Sequence, residues 1–360
     1  LYTLASRDWA IWKRLHLGLG LMVFFAITAP WFVLVSLQNP EFPHFFFIHE
    51  HFERFTSNVH RRAGAWHYFI PILIMGTVPW LGVLPQSLWH DRSHEKAMRF
   101  QPRKLLLVWA VFIFFFFSIS GSKLPSYILP IIPALALLIA CRLGSASHRA
   151  IMVAATLIGV CGAVGLFLVS RIPAMAKTSY DIPLYQAYMP WATAAAILAL
   201  AGGVIAVWLA RRHRDWALLA LAVTGFLSSQ AIMLGHEPIG RYAAGAALVP
   251  AIEAELGPQT PIYAVGRYEQ LLTIYLLLTL ILLEEPDEMN FGLEQEPHLW
   301  LPQRETFVAN WRVDHAAGRK SVAILRHDIF NELQKAGVPM RVIAQDPRRI
   351  VVTNDTNQRK

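Results

Sequence analysis

Residues 104–141, KLLLVWAVFIFFFFSISGSKLPSYILPIIPALALLIAC, decide the fold class of this chain. Two apolar runs, 104–120 and 126–141, are joined only by GSKLP. Each run comes close to the roughly 20 apolar residues that a membrane-spanning helix needs, and Pro125 and Pro130 restrict the backbone at the turn. The stretch therefore predicts a tight helical hairpin inside a membrane.

Five more apolar segments extend this pattern through the first two thirds of the chain. They lie near 15–37, 68–88, 150–170, 190–210 and 216–234. Only 16% of the residues are charged, against about 25% in an average soluble protein. We therefore predict a polytopic α-helical membrane protein, with about seven transmembrane helices in residues 1–234. Because Leu1 is not a methionine and no cleavable signal sequence precedes the first run, we expect a fragment that lacks its N-terminus.

Basic residues alternate between the loops. One set of loops carries Arg7, Lys13, Arg14, Arg92, Lys96, Arg99, Arg103, Lys104, Arg142, Arg149, Arg211, Arg212 and Arg214. The other carries Arg54, Arg61, Arg62, Lys123, Arg171 and Lys177. The positive-inside rule places the richer set in the cytoplasm, and loop 38–67 and everything after Gly235 in the periplasm of a bacterium. Membrane topology thus accounts for the net charge of +8, and we do not expect the protein to bind nucleic acid.

Residues 235–360 differ from the rest in composition. Strand-like runs at 261–265, 321–325 and 349–353 alternate with helical patterns, which predicts a small periplasmic α/β domain. The apolar run 271–283 has two interpretations. We favour a buried helix followed by a strand, since the run is short for an eighth membrane span.

The most highly charged loop is the first periplasmic one, where HEHFER begins at His49. In an α-helix His49 and Glu53 lie one turn apart, so His49 is a candidate ligand for a divalent metal, zinc or another. The His-Glu-x-x-His pattern of zinc proteases is absent, because position 53 is Glu. An amphipathic helix at the membrane surface with solvated charges is the alternative.

Cationic side chains at the same boundary point to phosphate. Guanidinium groups bind phosphate bidentately and stay charged, so Arg54 and Arg61 are candidates for holding the phosphate of a lipid carrier. Lys123, in the hairpin turn, is a third. The alternatives are contact with lipid headgroups for the arginines and anchoring of the hairpin for Lys123.

Several motifs together resemble one bacterial family. They are FFFIHEHFERF (45–55), HRRAGAWHYFIPILIMGTVPW (60–80), SGSKLPSYILPIIPALALL (120–138), GRYEQLLTIYLLL (266–278) and DEMNFGLEQEPHLW (287–300). These resemble the 4-amino-4-deoxy-L-arabinose lipid A transferases, which are class C polyprenyl-phosphate-dependent glycosyltransferases related to protein mannosyltransferases. The resemblance runs from about Arg7 to Val352 and corresponds to the C-terminal two-thirds of such an enzyme.

The resemblance implies an inner-membrane enzyme that moves a sugar from undecaprenyl phosphate to a lipid A phosphate on the periplasmic face. Arg54 resembles the arginine that contacts the carrier phosphate, and His49 a histidine near the family's metal. Tyr127 resembles a tyrosine of the lipid cavity, to which we also assign Glu50 and His51. The catalytic acidic residue is expected ahead of Leu1, so this chain alone is expected to be inactive.

The sugar and the acceptor stay open. At 268–270 the chain has Tyr-Glu-Gln, where the family pattern leads us to expect Tyr-Asp-Gln. Transfer of another polyprenyl-linked sugar to a protein or glycan is one alternative. A transporter of lipid-linked sugars is a second alternative. The scarcity of charged residues in the middle of the predicted membrane spans argues against it. A membrane-anchored scaffold is a third.

Overall fold

The computed structural model describes residues 1–53, 64–89, 100–176, 181–286 and 289–356. The chain divides into two units. They are Leu1–Phe167 with Ala194–Gln230, and Leu168–Thr193 with Ala231–Lys360.

The first two thirds of the chain are helical. The α-helices are α1 (Tyr2–Ser6), α2 (Ile11–Arg14), α3 (Leu17–Gln38), α4 (Phe69–Gly76), α5 (Leu84–Trp89), α6 (Pro102–Ile119), α7 (Ile132–Leu143), α8 (His148–Leu168), α9 (Ile182–Ala210) and α10 (Arg214–Gly235). A π-helix covers His44–Glu53, and short 3₁₀ helices cover Trp80–Gly82, Pro125–Ile131 and Val169–Met175.

Six helices in the described part of the chain are long and apolar enough to cross a membrane. They are Leu17–Gln38, Pro102–Ile119, Pro125–Leu143, His148–Met175, Ile182–Ala210 and Arg214–Ala244. A seventh span is formed if α4 and the segment Trp80–Trp89 are counted together. The predicted fold class, a polytopic helical membrane protein with a C-terminal α/β domain, is confirmed.

Two spans differ in shape from the prediction. The segment expected as one helix at 68–88 is bent by 108° between α4 and Trp80, where Pro79 has no N–H to donate and interrupts the helical hydrogen bonds. Helix α9 begins at Ile182, whereas we predicted a start near residue 190. Pro190 lies inside the helix and does not end it.

Small residues allow α8 and α9 to approach closely. A Cβ added to Gly162 would lie 2.6 Å from the carbonyl oxygen of Ala196, and one added to Gly203 would lie 2.6 Å from the Cα of Gly159. Packing between membrane helices depends on such contacts because lipid tails are as apolar as leucine. The glycines therefore fix the distance between these two helices.

The α/β domain contains one mixed sheet. Its helices are α11 (Glu237–Ala244), α12 (Val249–Glu253), α13 (Gln270–Leu276), α14 (Asn290–Gln295), α15 (Arg304–Ala316) and α16 (His327–Lys335), with 3₁₀ helices at Ala246–Leu248 and Pro297–Leu299. Its strands are β1 (Ile262–Val265), β2 (Ile281–Leu283), β3 (Trp300–Leu301), β4 (Val322–Leu325), β5 (Arg341–Gln345) and β6 (Ile350–Thr353). The run 271–283 is thus a helix followed by a strand, as we favoured.

The sheet order is β3-β2-β1-β4-β6-β5. Strands β3, β2, β1 and β4 run parallel to one another, while β6 runs antiparallel to β4 and β5. Alternate strand residues enter two apolar clusters, one with α12, α13 and α14 and the other with α15 and α16. Because successive strand residues point to opposite faces, helices cover both faces of the sheet.

An ion-pair cluster lies at the amino-terminal ends of β4 and β5. Glu255 accepts hydrogen bonds from Lys320 at 2.7 Å and from Arg341 at 3.0 Å. Burial alone would raise the pKa of Glu255, but these two hydrogen bonds outweigh burial, so the pKa is lowered. The carboxylate therefore stays ionised and connects α12 with β4 and β5.

Candidate functional site

The charged stretch after α3 forms a π-helix, not the α-helix that we expected. The Nδ1 atom of His51 donates to the carbonyl oxygen of Phe46, five residues earlier, at 2.6 Å. The hydrogen bonds of a π-helix join residues five apart, so the α-helical geometry assumed for this segment is wrong, and a metal site shared by His49 and Glu53 stays a prediction. The rings of Phe46 and Phe47 both pack against Phe32 of α3, at centroid distances of 5.3 and 5.8 Å. Aromatic packing against α3 thus accompanies the wide turns.

His49 is the predicted metal ligand. Its ring stacks on Phe45, with a centroid distance of 5.5 Å and an angle of 19° between the planes. Among the residues that the structure describes, no group of three His, Cys, Asp or Glu side chains is placed to hold a metal ion. The described residues therefore do not supply a ligand set, and we assign no chemical step to a metal.

The predicted phosphate ligands Arg54 and Arg61 lie outside the described residues. The chain returns at Gly64, which packs directly against the side chain of Lys123, since a Cβ on Gly64 would lie 2.9 Å from Lys123 Cδ. Gly64, the first described residue after this gap, therefore lies beside the third predicted phosphate ligand.

Lys123 is buried at the end of α6. Its ammonium group donates to the carbonyl oxygens of Ser118 at 2.8 Å, Ser120 at 3.0 Å and Phe117 at 3.3 Å. Nζ also lies 5.7 Å from the ring centre of Phe69. An ammonium group has three N–H donors, and all three point to the end of a helix, where positive charge is favoured. The contacts match the anchoring role, and phosphate binding by Lys123 stays a prediction.

Two hydroxyl groups next to Lys123 have no protein partner. The Oγ atoms of Ser118 and Ser122 are buried and make no hydrogen bond within the described part of the chain. A buried polar atom without a partner costs about 1 to 3 kcal/mol, and such atoms are rare in folded proteins. The hairpin turn is therefore a polar spot, where a bound polar group would supply the missing hydrogen-bond partners.

Tyr127 and a neighbouring cavity form the apolar side of this region. Tyr127 packs against Phe117, with a centroid distance of 5.4 Å. A largely apolar cavity of about 280 Å³ is lined by α4, α5, α6 and α7. It is lined by Ile70, Leu73, Ile74, Thr77, Leu81, Leu84, Leu88, Ala110, Val111, Phe114, Phe115, Ile131 and Leu135. Its walls suit a hydrocarbon chain. None of the three residues that we assigned to the lipid cavity, Tyr127, Glu50 and His51, is among these lining residues.

Sequence reasoning missed the polar centre of the α/β domain, Arg349. This buried guanidinium donates to the carboxylates of Glu269 at 2.8 Å and Asp346 at 3.0 Å. It also donates to the carbonyl oxygens of Tyr242 and Ala243 at the end of α11. Burial alone would lower its pKa, but the two carboxylates raise the pKa instead. The only signal in the sequence is an arginine directly before a strand that begins Ile-Val-Val.

Comparisons with known proteins identify the two parts of the chain. Residues 248–354 match the model of the aminoarabinose transferase C-terminal domain. An undecaprenyl phosphate-alpha-4-amino-4-deoxy-L-arabinose arabinosyl transferase of Erwinia tasmaniensis is 32% identical over 241 residues, which are 60% of this chain and 41% of that protein. A Photorhabdus laumondii protein of the same name is 40% identical over 125 residues, 34% of this chain and 22% of that protein.

A solved structure is similar over nearly the whole chain. The crystal structure of ArnT from Cupriavidus metallidurans bound to undecaprenyl phosphate superposes with a TM-score of 0.88 at 38% identity. The superposition covers 99% of this chain and 64% of that chain. This chain therefore spans about two fifths of the Erwinia relative and just under two thirds of the solved structure.

The membrane helices and these relatives together make the chain a multi-span inner-membrane protein. The match at 248–354 corresponds to the α/β domain, and the structural superposition extends through the helices before it. Residues 248–354 thus match the aminoarabinose transferase C-terminal domain, and the chain as a whole is similar to aminoarabinose transferases through that domain and the membrane helices that precede it.

Proposed function

We propose that the protein to which this chain belongs transfers 4-amino-4-deoxy-L-arabinose from undecaprenyl phosphate to a lipid A phosphate. The superposition on a structure bound to undecaprenyl phosphate, at 38% identity over 99% of this chain, carries the proposal. The relatives' names supply the sugar and the carrier. The lipid A acceptor is part of the proposal, which rests on the family resemblance.

The proposed donor has two chemically different ends, and the described residues offer a place for each. The apolar cavity lined by α4, α5, α6 and α7 suits the polyprenyl tail. The polar spot at the hairpin turn suits the phosphate end, because the hydroxyls of Ser118 and Ser122 have no partner among the described residues and the charge of Lys123 lies close by. Arg54 and Arg61 are the proposed guanidinium ligands of that phosphate.

Catalysis by these residues would consist of orientation and charge stabilisation. The acceptor phosphate is already an anion, so it needs little help from a general base. As the bond between sugar and carrier breaks, negative charge builds up on the carrier phosphate, and fixed cationic donors stabilise it. A hydrogen bond to a charged group contributes about 1.5 to 3 kcal/mol, so one arginine accounts for roughly a tenfold to hundredfold change in rate.

We place this chemistry on the periplasmic face, together with the α/β domain. The distribution of lysine and arginine residues supports this orientation, because the richer loops carry 13 of the basic residues that we assigned to sides and the poorer loops carry 6. A cysteine-labelling experiment with a membrane-impermeant reagent on Asn290→Cys tests it. Labelling of intact spheroplasts is expected, and labelling only after lysis would reverse the orientation.

The function is tested with the full-length gene product in membranes. Undecaprenyl-phosphate aminoarabinose and lipid A are supplied, and the modified lipid A is measured by mass spectrometry. Arg54→Ala is expected to lower kcat/KM by at least about tenfold. Arg212→Ala, which changes an exposed arginine in the loop that we place in the cytoplasm, is the matched control and should leave the rate unchanged.

Three results would count against parts of the proposal. Equal activity of the Arg54→Ala and Arg212→Ala proteins would remove Arg54 from the site. Release of undecaprenyl phosphate without modified lipid A would move the acceptor to another molecule. Movement of the intact donor across the membrane without release of undecaprenyl phosphate would favour the transporter alternative.

A further inference from the structure

The α/β domain has a crevice where ligands bind in folds of its kind. Helix α13, which follows β1, lies on one face of the sheet, and helix α16, which follows β4, lies on the other. Strands β1 and β4 are neighbours in the sheet. After these two adjacent parallel strands, the chain therefore turns to opposite faces of the sheet. Such a topological switch point opens a crevice outside the carboxyl ends of the strands.

A polar cavity of about 370 Å³ lies at this edge. Its walls are residues 266–271 after β1, residues 285–286 and Met289 after β2, Arg349 before β6, and Ala243. Gly266 begins the first wall with a φ of +76°, and a Cβ there would lie 2.7 Å from Ile329 Cδ1. The volume lies within the range of about 300 to 1,000 Å³ that small-molecule sites have.

The centre of the cavity wall is rigid. Arg349 is 5% exposed and is held by Glu269, by Asp346 and by two carbonyl oxygens of α11. Glu269 is the middle residue of the Tyr-Glu-Gln sequence at 268–270. These contacts fix the position of the loop that carries Arg267, Tyr268 and Gln270, so the neighbouring side chains are presented on a fixed base.

Four side chains around this centre have unused polar groups. They are Arg267, Tyr268, Gln270 and Glu285. Within the described ranges of the chain, none of their side chains makes a hydrogen bond or an ion pair with the protein. A cavity with a few convergent polar groups that the protein itself leaves unpaired has the properties of a binding site.

We propose that this cavity binds a single sugar unit that carries an anionic group. The guanidinium of Arg267 matches the geometry of a phosphate or a carboxylate. The amide of Gln270 and the carboxylate of Glu285 match sugar hydroxyls, which donate and accept hydrogen bonds. The carboxylate of Glu285 repels the anionic group of the ligand and so directs it toward Arg267. This repulsion fixes the orientation of the sugar ring.

This site is distinct from the one in the proposed sugar transfer. It uses residues of the α/β domain alone, whereas the proposed carrier site uses the hairpin turn and the loop before Gly64. Failure of either proposal leaves the other unchanged, because binding in the cavity is measured without transfer.

The test measures binding to the whole chain in detergent by saturation-transfer NMR. The probes are glucose 1-phosphate, glucuronate, glucose and inorganic phosphate. At least one of the two anionic sugars is expected to bind with a Kd on the order of 1 mM, and glucose and inorganic phosphate at least tenfold more weakly. The tighter of the two anionic sugars shows whether phosphate or carboxylate is the preferred group.

Three variants show where the sugar binds. Arg267→Gln, at an exposed position, is expected to weaken the tighter probe at least tenfold without changing the melting temperature. The control is Arg312→Gln, an exposed position on α15 at the other face of the sheet, and it should change the Kd less than twofold. Glu285→Gln should retain the anionic probe, because it removes a repulsion.

Any of three outcomes would overturn the proposal. Glucose or inorganic phosphate that binds as tightly as the anionic sugars would exclude the ligand class. Equal weakening by Arg267→Gln and Arg312→Gln would place binding elsewhere. The absence of binding by both anionic sugars at about 10 mM, ten times the expected Kd, would exclude the site.

Discussion

Replacement of Arg349 by methionine should destabilise the α/β domain more than any exposed change. Methionine keeps much of the length and apolar volume but removes every hydrogen bond of the guanidinium. The carboxylates of Glu269 and Asp346, which are 13% and 10% exposed, would then lose their buried cation. Removing one partner of a buried ion pair costs about 3 to 5 kcal/mol.

The loss is measurable in the whole chain in detergent. Hydrogen exchange of β6 and β4 reports unfolding of the domain, and a loss of about 3 kcal/mol corresponds to a melting temperature lower by on the order of 10 °C. The neighbouring exposed residue Arg348, whose guanidinium lies 5.4 Å from the ring centre of Tyr242, provides the control. Arg348→Met should cost less than about 1 kcal/mol, as exposed cation–π contacts do.

A second substitution separates the ion pair from simple packing. Glu269→Gln in the Arg349→Met background removes one unpaired carboxylate, so the double variant should be more stable than Arg349→Met alone. Strictly additive losses, or a loss from Arg349→Met no larger than that from Arg348→Met, would refute the assignment of Arg349 as the polar centre of the domain.

Three further predictions concern other parts of the chain. Gly162→Val should push α8 away from α9 and cost about 1 to 3 kcal/mol, whereas Gly144→Val, which meets no atom within 4 Å, should be tolerated; equal melting temperatures in detergent would contradict this. Lys123→Met leaves three helix carbonyls without a donor and should lower stability by about 1 to 3 kcal/mol, and an unchanged melting temperature would remove its anchoring role. The pKa of Glu255 is lowered in the fold, so its stabilisation should be complete above the ordinary glutamate pKa of about 4.3 and be lost as the pH falls through the lower pKa of the folded state. Glu255→Gln should flatten this pH dependence in hydrogen-exchange measurements, and an unchanged slope would exclude Glu255 as its source.

The membrane part could be predicted because its signals are local and long. Apolar runs of nearly 20 residues are typical of membrane-spanning helices and rare in soluble domains, and the spans of the structure overlap those predicted from the sequence. Local exceptions were harder to foresee. Pro190 lies inside α9, whereas Pro79 accompanies a bend of 108°, and a single sequence offers no rule that separates these two effects of proline.

The site was less predictable because its contacts are not local. Arg349 reaches Glu269 across 80 positions of sequence and Ala243 across 106, and no spacing rule connects such residues. The α-helix assumed around His49 was wrong for another reason, since the segment forms a π-helix and the sequence pattern does not reveal its wider turns. For Lys123 the sequence left phosphate binding and anchoring open, and the hydrogen bonds of the structure match anchoring.

The contacts of Lys123 have a consequence for how the protein is made. A lysine at the centre of a bilayer costs about 2.5 to 3.5 kcal/mol during insertion. Here the three acceptors belong to residues 117, 118 and 120, so ammonium and acceptors leave the ribosome within a few residues of each other. Its own helix end can therefore solvate the charge before any later helix is made. The α6–α7 hairpin can therefore enter the membrane as a single unit, with its cation already solvated by the backbone.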